Sequence, residues 1–231
     1  MLKRETLQKY INVVNSLIPV LLAILESLHV CISKGNRKIG RCMNVSTAPI
    51  FTCGGACKVC KCLCYDLRAC LQYGTALQAR VRNYLLAMYD RDRFFREIDE
   101  AMSRRRKNKF FRWHVGGDII DYDYFCRMVD NARRHPDFII WTYTKRYAFV
   151  NRYVAEHGGS IEAAIPANLS IMFSVWEGLE CVNPYGFATF ECVLTGHAWP
   201  AGVHHCPGNC ETCLKTGTGC PARQNSAVGQ H

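Results

Sequence analysis

Two spacings of apolar residues alternate along this chain. Residues 110–115 (FFRWHV), 138–142 (FIIWT), 169–175 (LSIMFSV) and 187–194 are short aromatic and β-branched runs, and read as strands. Residues 48–52 (APIFT) form a similar short run and are the expected first strand. Between these runs the apolar positions fall at helical spacing. Leu67, Leu71, Leu77, Val81 and Leu85 predict one helix over residues 65–88. Phe94, Phe95, Ile98 and Met102 mark one face of a highly charged helix over 91–106. Residues 121–135 read as a helix capped by Asp121, and residues 145–157 as one ended by Gly158-Gly159. Upstream, residues 5–30 predict an amphipathic helix or helix pair kinked near Pro19, followed by a polar loop over 33–38. From Gly196 onward the chain reads as loop-rich.

Near-continuous apolar strands that alternate with helices imply parallel pairing and an α/β fold. Four or five βα units are too few for a closed eight-stranded barrel, so the expected architecture is a partial, curved βα barrel. It carries a helical extension over residues 1–32, an α/β domain over 33–195 and a cysteine-rich segment over 196–231. In such folds ligands bind at the C-terminal ends of the strands. The expected first strand runs into a cysteine cluster and the second into Gly116-Gly117-Asp118, so both should face one cleft. Trp141, Tyr143, Lys145, Asn168 and Ser174 lie near strand ends and are candidates for its lining, with core packing the commoner role for Trp141 and Tyr143.

Composition narrows the class. At 231 residues, with 49% apolar and 21% charged residues, the chain can bury one substantial core. A formal charge of +10, from 29 Lys and Arg against 19 Asp and Glu, favours an anionic partner such as nucleic acid or a phosphorylated substrate. The basic residues are scattered except for Arg104-Arg105-Arg106-Lys107. Fifteen cysteines cannot all pair internally, and no small-residue cleavage site follows the basic start. The apolar run over residues 17–25 is far shorter than the ~20 residues of a membrane span. A reducing cytoplasm, with thiols bound to metal, is the expected setting.

The densest chemistry lies in TCGGACKVCKCLCYD, where Cys53, Cys57, Cys60, Cys62 and Cys64 fall within twelve residues. Cys53-x3-Cys57-x2-Cys60 could hold three corners of an iron–sulfur cluster and leave one iron open, and Cys53-x6-Cys60-x3-Cys64 could do the same. Spacing alone favours the first set, and a structural zinc site is the plainer alternative. Gly116 and Gly117 at a strand end would let a ligand approach the backbone, and Asp118 could accept from an ammonium group or simply cap a helix. Cys206-x3-Cys210-x2-Cys213-x6-Cys220 is a complete four-thiolate set suited to structural zinc or a second Fe–S cluster. His204 and His205 could substitute as ligands but read as exposed.

Together the first cluster and Gly116-Gly117-Asp118 resemble the radical S-adenosylmethionine (SAM) enzymes, with Asp where Glu is commoner. That resemblance implies a 4Fe–4S cluster, SAM bound at its open iron and along the Gly-Gly-Asp motif, an external electron donor and an unknown substrate. Several segments resemble more closely the phage gene product 88 family: Gly35-Asn36-Arg37-Lys38-Ile39-Gly40, Asn44-Val45-Ser46, Thr52-Cys53-Gly54-Gly55-Ala56, Cys60, Cys64-Tyr65, residues 112–118, Pro136-Asp137-Phe138, residues 141–144 and Cys206-Pro207 with Cys210-x2-Cys213. The family's pattern falls on Cys53, Cys60 and Cys64, which leaves Cys57 and Cys62 as extras, and this chain has Gly54 where Pro is usual and Gly116 where Ser is common. The resemblance implies a cluster-bearing, SAM-binding protein encoded by a phage or an integrated element, with the host cytoplasm as its setting if phage-encoded. The rival expectation is a non-enzymatic, metal-stapled nucleic-acid-binding or redox-sensing protein.

Overall fold

The computed structural model describes residues 2–230. Seven strands form one open sheet in the order β1-β2-β3-β4-β5-β7-β6, and every pairing is parallel. They are β1 (Met43–Val45), β2 (Phe110–Trp113), β3 (Ile139–Thr144), β4 (Leu169–Val175), β5 (Thr189–Val193), β6 (His204–His205) and β7 (Ser226–Gly229). The α/β expectation therefore holds.

The helices are α1 (Arg4–Leu22), α2 (Lys58–Leu63), α3 (Tyr65–Gln72), α4 (Gly74–Tyr89), α5 (Arg91–Ser103), α6 (Tyr122–Arg134), α7 (Tyr147–Glu156), α8 (Ile161–Ala164) and α9 (Cys210–Thr216). Strands β1 to β4 succeed one another in the same direction. Right-handed crossovers in one direction put their helices on one face of a sheet. The burial pattern agrees. Phe111, Trp113, Ile140, Ile171 and Phe173 share the main core with residues of α4, α5, α6 and α7. Trp141 and Met172 alternate with them and join Ile39, Cys42 and Cys220 in a second, smaller core on the opposite face. Among the described residues that inner face carries no layer of long helices; residues 36–42 and the C-terminal segment cover it.

Helix α5 buries the face expected for it, namely Phe94, Phe95, Ile98 and Met102. Asp121 caps α6 by accepting from the Tyr124 N–H. Three expectations need correction. Residues 48–52 are not a strand: Pro49 has no N–H to give a ladder, Ile50 sits at φ 71°, and the Thr52 N–H and hydroxyl both turn back to the Ala48 carbonyl. The first strand is β1, whose three residues are all buried. The helix expected over 65–88 is two, because Tyr73 is extended at the junction of α3 and α4. The tail is more ordered than its composition suggests, since β7 inserts between β5 and β6. Pro19 lies inside α1, which continues to Leu22. Among the described residues no helix is long and apolar enough to cross a membrane.

Candidate functional site

The loop after β1 is tied to the loop after β2. The His114 N–H donates to the Val45 carbonyl (2.9 Å) and the Thr47 N–H to the Gly116 carbonyl (3.1 Å), so the parallel pairing continues past both strand ends. The Asp118 N–H reaches the Thr52 hydroxyl, which also bonds Thr47. A Cβ on Gly116 would overlap the Asp66 carboxylate, and one on Gly117 would overlap the Thr47 hydroxyl. Gly117 also has φ 89°, a conformation that glycine adopts without penalty. The two glycines let the loops touch.

Two short helices then set out the cysteines. Cys57 caps α2, its sulfur accepting from the Cys60 N–H (3.4 Å), and Cys64 caps α3 in the same way toward Leu67 (3.4 Å). A cavity of about 240 Å³ opens between these helices, the strand ends and the C-terminal segment. Its wall contains Cys53, Cys60 and Cys64 together with Gly116, Gly117 and Asp118. Cys57 and Cys62 are not part of that wall. Lys145 and Ser174 line it, and so does Tyr143, for which core packing was the commoner expectation. Trp141 does not, being buried in the smaller core, and Asn168 instead holds the carbonyls of Ala132 and His135.

Asp118 is not the cap of α6. Its Oδ1 accepts from the Thr144 hydroxyl (2.7 Å) and the Ile119 N–H (2.7 Å), and its Oδ2 from the Lys145 N–H (3.0 Å). Burial raises its pKa, against the opposing pull of Lys145 and these donors. Oδ2 keeps one acceptor position for a further donor. Lys145 faces Cys60, Asp118 and Cys53, and its pKa is raised because these acidic groups outweigh burial. Burial pushes the Cys53 thiol up to about 12 and the Cys64 thiol up to about 11, while Lys145 works against a similar rise at Cys60.

Three further residues of this wall were not singled out by spacing. Asp66 is buried and paired through both oxygens with Arg80 (2.9 and 3.3 Å). His114 is buried at φ 52°, with Nε2 3.1 Å from the Tyr124 hydroxyl; burial, then the nearby Arg112 charge, lowers its pKa to about 3. Arg112 stacks 4.6 Å from the Tyr143 ring centroid and points Nη1 at the Cys210 sulfur (3.9 Å). Only the juxtaposition of residues distant in sequence reveals these three roles.

The C-terminal cysteines gather beneath the same cavity. Cys206 and Cys210 line it, while Cys213 and Cys220 are buried. Cys206 is close enough to raise the pKa of Cys210, Cys213 and Cys220, although burial is the larger cause at each. His204 joins them, its Nε2 3.4 Å from the Cys213 sulfur, whereas His205 stacks on Trp199. Among the described residues no three His, Cys, Asp or Glu side chains stand close enough to hold a single metal ion.

A family model described as Gene product 88 matches residues 30–180. The chain belongs to this family. The match takes in β1 to β4, the first cysteine cluster and the Gly-Gly-Asp loop, and ends before the C-terminal cysteines. No curated protein and no solved structure matches this Gene product 88 member.

Proposed function

We propose that this Gene product 88 protein is a radical-SAM-like enzyme acting on an as yet unidentified substrate. Cys53, Cys60 and Cys64 would hold a 4Fe–4S cluster, and Gly116, Gly117 and Asp118 would receive SAM. The observation that carries the reading is the shared wall: these three cysteines and this loop border one cavity, while Cys57 and Cys62 stay outside it. A tetrahedral zinc needs its ligands around one ion, whereas a cluster takes each ligand on a different iron, so a spread set of thiols suits a cluster better. The same-direction winding of β1 to β4 supports a partial-barrel reading of the open sheet. Bound here, a cluster with SAM supplies radical chemistry.

The residues around it have definable tasks. The free Oδ2 position of Asp118 suits an ammonium group, and the backbone of Gly116 and Gly117 allows close approach. Lys145 offsets the negative charge of Cys53 and Cys60 once they lose their protons. Cys206, Cys210, Cys213 and Cys220 would hold a second Fe–S cluster or zinc, with His204 a fifth candidate donor.

Anaerobic purification and reconstitution test this reading through iron, sulfide and the electron-paramagnetic spectrum of the reduced protein with and without SAM. Iron should be lost in Cys64→Ala and retained in Cys57→Ala, and SAM should change the spectrum. The opposite pattern of iron loss would move the site to Cys53, Cys57 and Cys60. Tight zinc at both cysteine sets, with salt-sensitive binding to nucleic acid, would replace the enzyme reading by the metal-stapled binding protein.

A further inference from the structure

Among the described residues, Arg112 of this cavity has no carboxylate to balance its charge. It rises from the inner face of β2 into the wall, beside Tyr65, Tyr143 and Cys210. Its Nε is buried without a hydrogen-bond partner, and its one side-chain bond is the long contact to the Cys210 sulfur at 3.9 Å. The two carboxylates of the wall are engaged elsewhere. Asp66 is held by Arg80 through both oxygens, and Asp118 by Thr144, Ile119 and Lys145. Lys38 adds a second cation to the same side, 5.6 Å over the Tyr65 ring. Burying a guanidinium without a partner is costly, and its planar fork of donors matches a carboxylate or phosphate.

We infer that the cavity binds a ligand with a carboxylate or phosphate group, and that Arg112 is the residue that takes that group. The inference rests on reading this cavity as a substrate site, but not on the cluster. An anionic ligand would pair with the guanidinium on the side of the cavity formed by Lys38, Tyr65 and the C-terminal segment, while Lys145 serves the cysteines and Asp118.

The test uses the full chain freed of metal under argon, titrated calorimetrically with inorganic phosphate and, separately, with succinate, against chloride at matched ionic strength. One site should appear for at least one of the two, and which one responds tells phosphate from carboxylate. Arg112→Gln should weaken that binding at least about tenfold, and Arg112→Lys, which keeps the charge without the fork, by an intermediate amount. The melting temperature of anion-free Arg112→Gln should equal or exceed that of the parent, because an unbalanced buried charge is removed. If Arg112→Gln does not fold, the affinity of Arg112→Lys decides. Anion binding unchanged in the folded variant would overturn the assignment. So would a variant that binds both anions normally but, as purified before metal removal, has lost the metal of Cys206–Cys220, which would make Arg112 a counter-charge for those thiolates. Because no iron is present, failure of the cluster reading leaves this result intact.

Discussion

Gly116 is held in place by what faces it. The Asp66 carboxylate occupies the space a Cβ would need, and Asp66 is itself locked to Arg80. Gly116→Ala must push that buried pair apart, so chemical denaturation should show a loss of about 2–3 kcal/mol. Asp66→Asn leaves the Arg80 guanidinium largely buried and uncompensated, and should cost about 3 kcal/mol in the same assay. His114 makes an acid-sensitive contribution. Its pKa is lowered to about 3 in the fold against 6.5 in the unfolded chain, so below pH 6.5 the unfolded state binds the extra proton. Stability should therefore fall as pH drops from 6.5 toward 3, by up to about 1.4 kcal/mol per pH unit. In His114→Asn, which tolerates the left-handed backbone, urea titrations across this range should show a shallower decline. The strand end before Gly116-Gly117-Asp118 was legible because the apolar run of residues 110–115 stops at the two glycines. The pair Asp66–Arg80 was not, since thirteen intervening residues and a helix break separate its members.

At the scale of elements, α2 and α3 decide which sulfurs face the cavity. Cys57 stands at the N-cap of α2 and spends its sulfur on the Cys60 N–H. Serine is among the best N-caps, so Cys57→Ser should keep both the melting temperature and the reconstituted iron content of the parent. A ligand at that position could not be replaced so freely, and a marked fall in iron would show that Cys57 binds the cluster. Helix α2 escaped sequence reading because six residues hold too few turns to show a period. The break at Tyr73 was hidden for a related reason: the apolar spacing continues across it, and only the extended backbone of Tyr73 shows that the chain changes direction. By contrast, α5, α6 and β4 were legible nearly to the residue, since each carries a strong period or a long apolar run between clear caps.

Across the whole molecule, the inner face of the sheet beside β1 to β4 is finished by the distant C-terminal segment. Cys220 packs in the smaller core with Trp141 and Met172, and Val228, Gly229 and Gln230 complete the cavity wall. Removing residues 204–230 should expose that core. The expected result is a chain that keeps its far-ultraviolet dichroism but loses near-ultraviolet signal and binds a hydrophobic dye. The tail's role was illegible because strands of two and four residues carry almost no pattern, and small residues dominate β7. The order of the last strands also has a consequence for biogenesis. Strand β6 has β7 as its partner in the sheet, so it cannot dock until β7 has been synthesised and has filled the gap beside β5. During translation the cysteines of residues 53–64 therefore emerge long before the wall opposite them exists, so that side of the cavity stays open to solution until the tail is made.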